Sequence, residues 1–337
     1  MPVNPNAHLV QNLLDPNTIE QKPTRNGYGE GLVRAGEENP DVVALCADLT
    51  ESTRTQLFKD KFPERFIEIG VAEQNLASVA SGMAAVGKIP FLTSYAMFSP
   101  GRNWEQIRTT ICYNDQNVKI VGSHAGVSVG PDGATHQAIE DIAITRVLPN
   151  MTVLVPCDVE EARKVTRAAA RSGGPVYMRF AREKTPVFTT SETPFQIGKA
   201  EVFWTELKEG KPDVAIIACG PLTHNAIRAA ARLEGEGLSV RVINSPSVKP
   251  LDEATILIAA TAAGAVVTVE EHQVAGGMGS AIAEFLARHY PVPMEFVGVR
   301  DRFGESGEPS ELLEHFGMGD GDIIAAVQRV LGRKLKK

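Results

Sequence analysis

From residue 24 onward the chain alternates two hydrophobic patterns with almost no interruption. Short runs that are apolar on both faces predict buried strands at 42–47, 65–69, 90–95, 118–122, 152–155 and 176–180. Between them, helical spacing of apolar residues predicts helices at 53–62, from 76 onward, and at 104–113, 136–148 and 159–171. Strands of this kind separated by helices belong to a parallel sheet covered on both sides. Residues 183–198 lapse into Lys-Thr-Pro, Thr-Thr-Ser and Thr-Pro, the composition of a linker. A second series follows, with strands at 214–219, 240–243, 266–269 and 295–299 and a final helix at 322–331. The expectation is an α/β protein of two parallel-sheet domains. A polar, proline-dotted arm covers 1–23, the first domain 24–185, a linker 186–200 and a smaller second domain 201–333.

One stretch organises the first series. Arg65-Phe66-Ile67-Glu68-Ile69-Gly70-Val71-Ala72-Glu73-Gln74-Asn75 ends a strand on a glycine and delivers a carboxylate where a buried helix begins, marked by Leu76, Ala80, Gly82, Ala84 and Ala85. Desolvation at such a junction would raise the pKa of Glu73 and hold it neutral, as a general acid or hydrogen-bond donor requires. The alternative is a first-turn glutamate that only complements the helix dipole.

Composition narrows the function classes. A net charge of -7, from 34 basic and 41 acidic residues, with no basic run interleaved with aromatics, argues against nucleic-acid binding. No apolar run reaches the length of a bilayer, and the first residues lack the regions of a signal peptide, so a cytoplasmic protein without membrane contact is expected. Cys46, Cys112, Cys157 and Cys219 are far apart, lie in apolar runs and form no CxxC pair, which reads as reduced core cysteines.

Three near-motifs fail on context. Gly82 to Ile89 has the glycines and lysine of a P-loop, but Ile89 replaces the magnesium-binding hydroxyl, and the stretch ends a helix. Gly277-Met278-Gly279 opens a helix but lacks the third glycine of a dinucleotide fingerprint, leaving anion binding or close packing. Gly126-Val127-Ser128-Val129-Gly130 spells a nucleophile elbow, yet runs into Gly130-Pro131-Asp132-Gly133 rather than into a helix. A serine hydrolase stays as the alternative from another class. The same loop carries His124, Asp132 and His136, whose spacing is not that of a zinc signature. Taken singly, Asp132 is a turn residue and His136 a first-turn helix residue.

Residues 130–146 resemble the second transketolase signature, and residues 69–75 resemble the segment that holds the catalytic glutamate of thiamine-diphosphate enzymes. The resemblance covers nearly the whole chain. It corresponds to the pyrimidine-binding and C-terminal domains of a transketolase, without the N-terminal part that carries a Gly-Asp-Gly…Asn motif for metal and diphosphate. It therefore implies a split enzyme, with a separate N-terminal subunit that binds the cofactor's diphosphate through Mg2+ or Ca2+, in an α2β2 heterotetramer. No metal ligands are expected on this chain.

Position by position, the resemblance makes Glu73 the residue that hydrogen-bonds the pyrimidine of thiamine diphosphate. Tyr95 and Phe98 become the aromatics around that ring, and Asp48 an acid close to the cofactor; the family's third aromatic is replaced near Gly101. Without the resemblance, Tyr95 and Phe98 read as core aromatics. Asp132 is similar to a residue that reads a sugar hydroxyl, and His136 to one that contacts the donor during carbon–carbon cleavage. Arg25, Ser52, His124 and Arg182 match residues that hold the sugar phosphate. The implied function is transfer of a two-carbon ketol unit from a ketose phosphate to an aldose phosphate. The alternatives are a deoxyxylulose-phosphate synthase-like or other ketol transferase, the beta subunit of a 2-oxoacid dehydrogenase, which needs no phosphate clamp, and a degenerate subunit without turnover.

Overall fold

The computed structural model describes residues 2–206 and 211–334. Its strands are β1 (Gln21–Lys22), β2 (Val42–Cys46), β3 (Phe66–Glu68), β4 (Ile89–Tyr95), β5 (Lys119–Ser123), β6 (Thr152–Leu154), β7 (Val176–Arg179), β8 (Thr185–Pro186), β9 (Glu201–Trp204), β10 (Val214–Ala218), β11 (Val240–Asn244), β12 (Ser247–Lys249), β13 (Val266–Gln273) and β14 (Met294–Val299). Helices α1 (Thr24–Glu38), α2 (Gln56–Lys61), α3 (Glu73–Ala85), α4 (Trp104–Gln106), α5 (Asp141–Arg146) and α6 (Val159–Arg171) accompany the first series. Helices α7 (Leu222–Gly235), α8 (Glu253–Ala263), α9 (Met278–His289), α10 (Pro309–His315) and α11 (Asp320–Lys334) accompany the second.

The expected two parallel sheets are present. The first runs in the order β12-β6-β7-β5-β4-β2-β3 and is parallel except at β12, a strand from the second series that pairs antiparallel with β6. The second runs β14-β13-β10-β11-β9, parallel except at β9. Strands such as β2, β5 and β10 are buried at every position, because helices cover both faces. The two halves are therefore joined by a shared sheet edge as well as by the linker. Residues 2–20, expected as an arm, lie across the second half: Ala7, Leu13 and Ile19 are buried with Phe188, Phe203 and Trp204. β1 pairs with β8, at the boundary between the first domain and the segment expected as linker.

Several expected helices are shorter. The helix expected at 136–148 is confined to α5, because residues 136–140 spend their backbone elsewhere. Ala138 bridges Ala125, the Ala138 carbonyl accepts from Gly126, and that of Ile139 accepts from Gln273. The helix expected at 53–62 begins only at Gln56, since the Thr53 hydroxyl folds back on the Leu49 carbonyl. At 104–113 three α-helical residues pass into a π-helix, Ile107–Cys112.

All four cysteines are free and buried, as expected. The glycine-rich start of α9 is closed from within. The Glu270 carboxylate accepts from the Met278 and Gly279 amides at 2.7 and 2.8 Å, so the protein itself fills that anion position. Burial pushes the Glu270 carboxyl up to about 7. Among the described residues no helix is long and apolar enough to cross a membrane.

Candidate functional site

The site forms where the first sheet's strands end and their loops begin, the usual ligand edge of a parallel sheet. Glu73 is the first residue of α3, yet its side chain is 1% exposed. A buried carboxylate needs a partner, and the structure supplies one that the sequence reading missed. Arg102 places Nη1 2.7 Å from Glu73 Oε2, with its guanidinium carbon 4.8 Å from the centre of the Phe98 ring. Glu73 is desolvated as expected, and a guanidinium stands beside it. The Glu73 carbonyl also accepts from Asn103 Nδ2 at 3.0 Å, which ties the start of α3 to the loop after β4.

Beyond Phe98 the aromatic groups continue. Tyr95 and Phe98 stack at 6.1 Å, Tyr95 stacks on His124 at 3.8 Å, and His136 meets the Phe98 ring edge-on at 5.4 Å. His124 is buried with a left-handed φ of 56°. Burial, reinforced by Arg25 and Arg182, lowers its pKa to about 3, so the ring is neutral at pH 7. Its Nε2 lies 3.2 Å from Arg25 Nη1, which donates to the Ser52 carbonyl at 2.7 Å. Arg182 donates to the Val129 carbonyl at 2.8 Å and pairs with Asp132 at 3.3 Å. Eight of the ten expected site residues are thereby linked by direct contacts into two groups: Arg25, Ser52, His124, Tyr95, Phe98 and His136, and the pair Arg182 and Asp132. Glu73 joins the first group only through Arg102.

Asp48 stands apart. It is exposed with φ 57°, and its amide donates to Glu68 Oε1 at 2.7 Å. It still lines a cavity of about 700 Å³ with Arg25, Ser52, Arg54, Lys59 and Glu68. Glu68 was not singled out from the sequence, although it also accepts from the Thr50 hydroxyl and the Gly70 amide and so shapes two loops at once. Arg54, likewise missed, adds positive charge next to Arg25 and helps lower its pKa, after burial. A second cavity of about 490 Å³ lies beside Phe98, Gly101, Arg102 and Thr135.

Ser128 lies in the 3-10 segment Val127–Asp132, not on a strand-to-helix turn, so the nucleophile-elbow geometry is absent. Among the described residues no group of three or more His, Cys, Asp or Glu is arranged to hold a metal ion. Gly319-Asp320-Gly321 is followed by no asparagine, and Asp320 pairs with Arg228 at 2.7 Å.

Comparison with known proteins bears on the same two halves. Residues 20–187 match the pyrimidine binding domain of transketolase, and residues 204–323 match its C-terminal domain. A Methanocaldococcus jannaschii chain described as a transketolase C-terminal section is 43% identical over 307 residues, 90% of this chain and 94% of that one. The 6-deoxy-6-sulfo-D-fructose transketolase subunit of a Clostridium species is 39% identical over 94% of this chain and 97% of its own length. Among solved structures, a split gene transketolase in the form of an inactive beta4 tetramer superposes with a TM-score of 0.86 at 47% identity, covering 93% of this chain and 99% of that one. The aromatic, histidine and arginine cluster described above therefore sits in a chain that belongs to the transketolase family and contains that family's pyrimidine-binding and C-terminal domains.

Proposed function

We propose that this chain is one subunit of a two-subunit, thiamine-diphosphate-dependent transketolase that moves a two-carbon ketol unit from a ketose phosphate to an aldose phosphate. The observation that carries the reading is the continuous track from Glu73 through Arg102, Phe98, Tyr95 and His124 to Arg25. One end of the track offers a carboxyl and an aromatic wall, which fits a flat aminopyrimidine. The other offers guanidinium groups and a neutral imidazole, which fits a phosphate. When bound, the thiazolium ring of thiamine diphosphate supplies the nucleophilic carbon and the electron sink for carbon–carbon cleavage.

The residues of this chain then have separate tasks. Glu73 leaves its pair with Arg102 to hydrogen-bond the pyrimidine nitrogen, with Tyr95 and Phe98 fixing the plane of the ring. Arg25, Ser52, His124 and Arg182 fix the sugar phosphate, while Asp132 and His136 address the hydroxyl and carbonyl at the reacting end. Asp48 borders the cofactor. The Arg182–Asp132 pair must open for each to take its ligand group. Diphosphate and Mg2+ or Ca2+ are assigned to a separate N-terminal subunit. The names of two relatives, a C-terminal section and a split gene enzyme, support that division, and two copies of each chain complete the proposed assembly.

Gentle purification of the tagged chain from its own cells, with native mass and bound thiamine diphosphate measured together, tests this. Recovery of a second chain with cofactor, and ketol transfer between sugar phosphates by that complex, is the expected result. A chain that comes out alone and binds the cofactor unaided overturns the division of labour. A complex inert toward every sugar phosphate overturns the reaction.

A further inference from the structure

The second domain reaches into the loop that carries Asp132 and His136, and does so with buried polar groups. Glu271, from β13 and 4% exposed, places Oε1 2.6 Å from the Ser128 amide nitrogen. The carboxylate also crowds Gly126, where a Cβ would stand 2.2 Å from the same oxygen and where φ is +88°. Gln137, next to His136 and 2% exposed, turns Nε2 toward three carbonyls. They belong to Val127 at 2.9 Å, Gly130 at 3.3 Å and Glu305 of the second domain at 2.8 Å. Two hydrogens serve three acceptors, so one of them is shared. Arg179 fixes the frame, donating to the Glu271 carbonyl at 2.8 Å and to that of Ala138 at 3.1 Å.

We propose that the second domain is a working part of the substrate site, with Glu271 and Gln137 as positioning residues that hold residues 126–136 so that Asp132 and His136 meet the ketose donor in fixed geometry. This rests on the ketol-transfer reading and deepens it. The loop needs such a hold, because Gly126, Gly130 and Gly133 all have positive φ and an unrestrained glycine chain gives up much freedom on ordering. A buried carboxyl is also a costly way to pack two domains together, since an apolar side chain would do that better. The group it serves is the Ser128 amide.

Two readouts on the full chain test the assignment. In the isolated chain, Glu271→Leu removes the acceptor and should speed hydrogen exchange at Ser128 by about tenfold or more, while exchange in β10 stays unchanged. Glu271→Gln keeps an oxygen acceptor and should behave as wild type. In the complex with its partner subunit, Glu271→Leu should lower kcat/KM for the ketose donor by about ten- to a hundredfold, with cofactor affinity and assembled mass unchanged. Gly304→Ala is a second probe, from a loop of the second domain, because its Cβ would meet Gln137 Oε1 at 1.7 Å. It should give the same pattern if Glu271→Leu does not fold. Unchanged exchange in both variants overturns the clamp, and a loosened loop with unchanged donor kinetics overturns its role in positioning. A wild-type complex without ketol transfer instead overturns the functional reading, and exchange alone then decides the clamp.

Discussion

Arg102 and Glu73 form an ion pair at 2.7 Å in which the carboxylate is buried and the guanidinium half exposed, with side-chain exposures of 1% and 50%. Such a pair is asymmetric. Removing the arginine strands a charge away from water, whereas removing both charges strands nothing. Arg102→Ala is expected to cost about 1–3 kcal/mol of folding stability, below the range for fully buried pairs because water reaches the arginine. Glu73→Gln in the same background should return part of that loss. A double-mutant cycle by chemical denaturation reads the coupling directly, and a coupling near zero means the two side chains do not interact.

The basic end of the site makes a separate prediction. Arg25→Ala and Arg182→Ala should each raise KM for phosphorylated donors by about ten- to a hundredfold, the worth of a charge-assisted hydrogen bond. Donors without phosphate should lose much less. Equal losses on both kinds of donor would place the two arginines outside the phosphate site.

His124 gives a pH prediction with a definite sign. Its folded pKa of about 3 lies below the unfolded value near 6.5. Between those values only the unfolded chain takes the proton, so the contribution is full above about pH 6.5 and falls by about 1.4 kcal/mol per unit as pH drops toward 3. His124→Gln should flatten the acid side of the stability curve by that slope. His224 and His272, both lowered to about 4 by burial, add slopes of the same sign. Glu161 and Glu270, both raised to about 7, oppose them, and the variant leaves these four groups in place. Denaturation between pH 4 and 6 is the measurement, and parallel curves for the two proteins contradict it.

The sheet architecture was legible because the strands are buried on both faces and so read as uninterrupted apolar runs. β12 was not, since Ser247-Val248-Lys249 is too short and mixed to carry a period, and its pairing with β6 is a tertiary event. The late start of the helix expected at 136–148 was equally hidden, because it depends on where Gly126 and Gln273 find acceptors. In the proposed site, residues within a recognisable pattern could be named from the sequence, and those that reach across could not. Arg102 lies 29 positions from Glu73, and Glu271 lies 143 positions from Ser128.

The central claim is that Glu73 serves the cofactor's pyrimidine, and exchange of the thiazolium C2 proton in the assembled enzyme tests it most directly. Deuterium exchange followed by acid quench and proton NMR would compare wild type with Glu73→Ala at equal cofactor occupancy. A slowing of about a hundredfold or more, the scale of a lost acid–base partner, is the predicted result. Exchange at the wild-type rate, with the variant fully assembled and loaded, would contradict it.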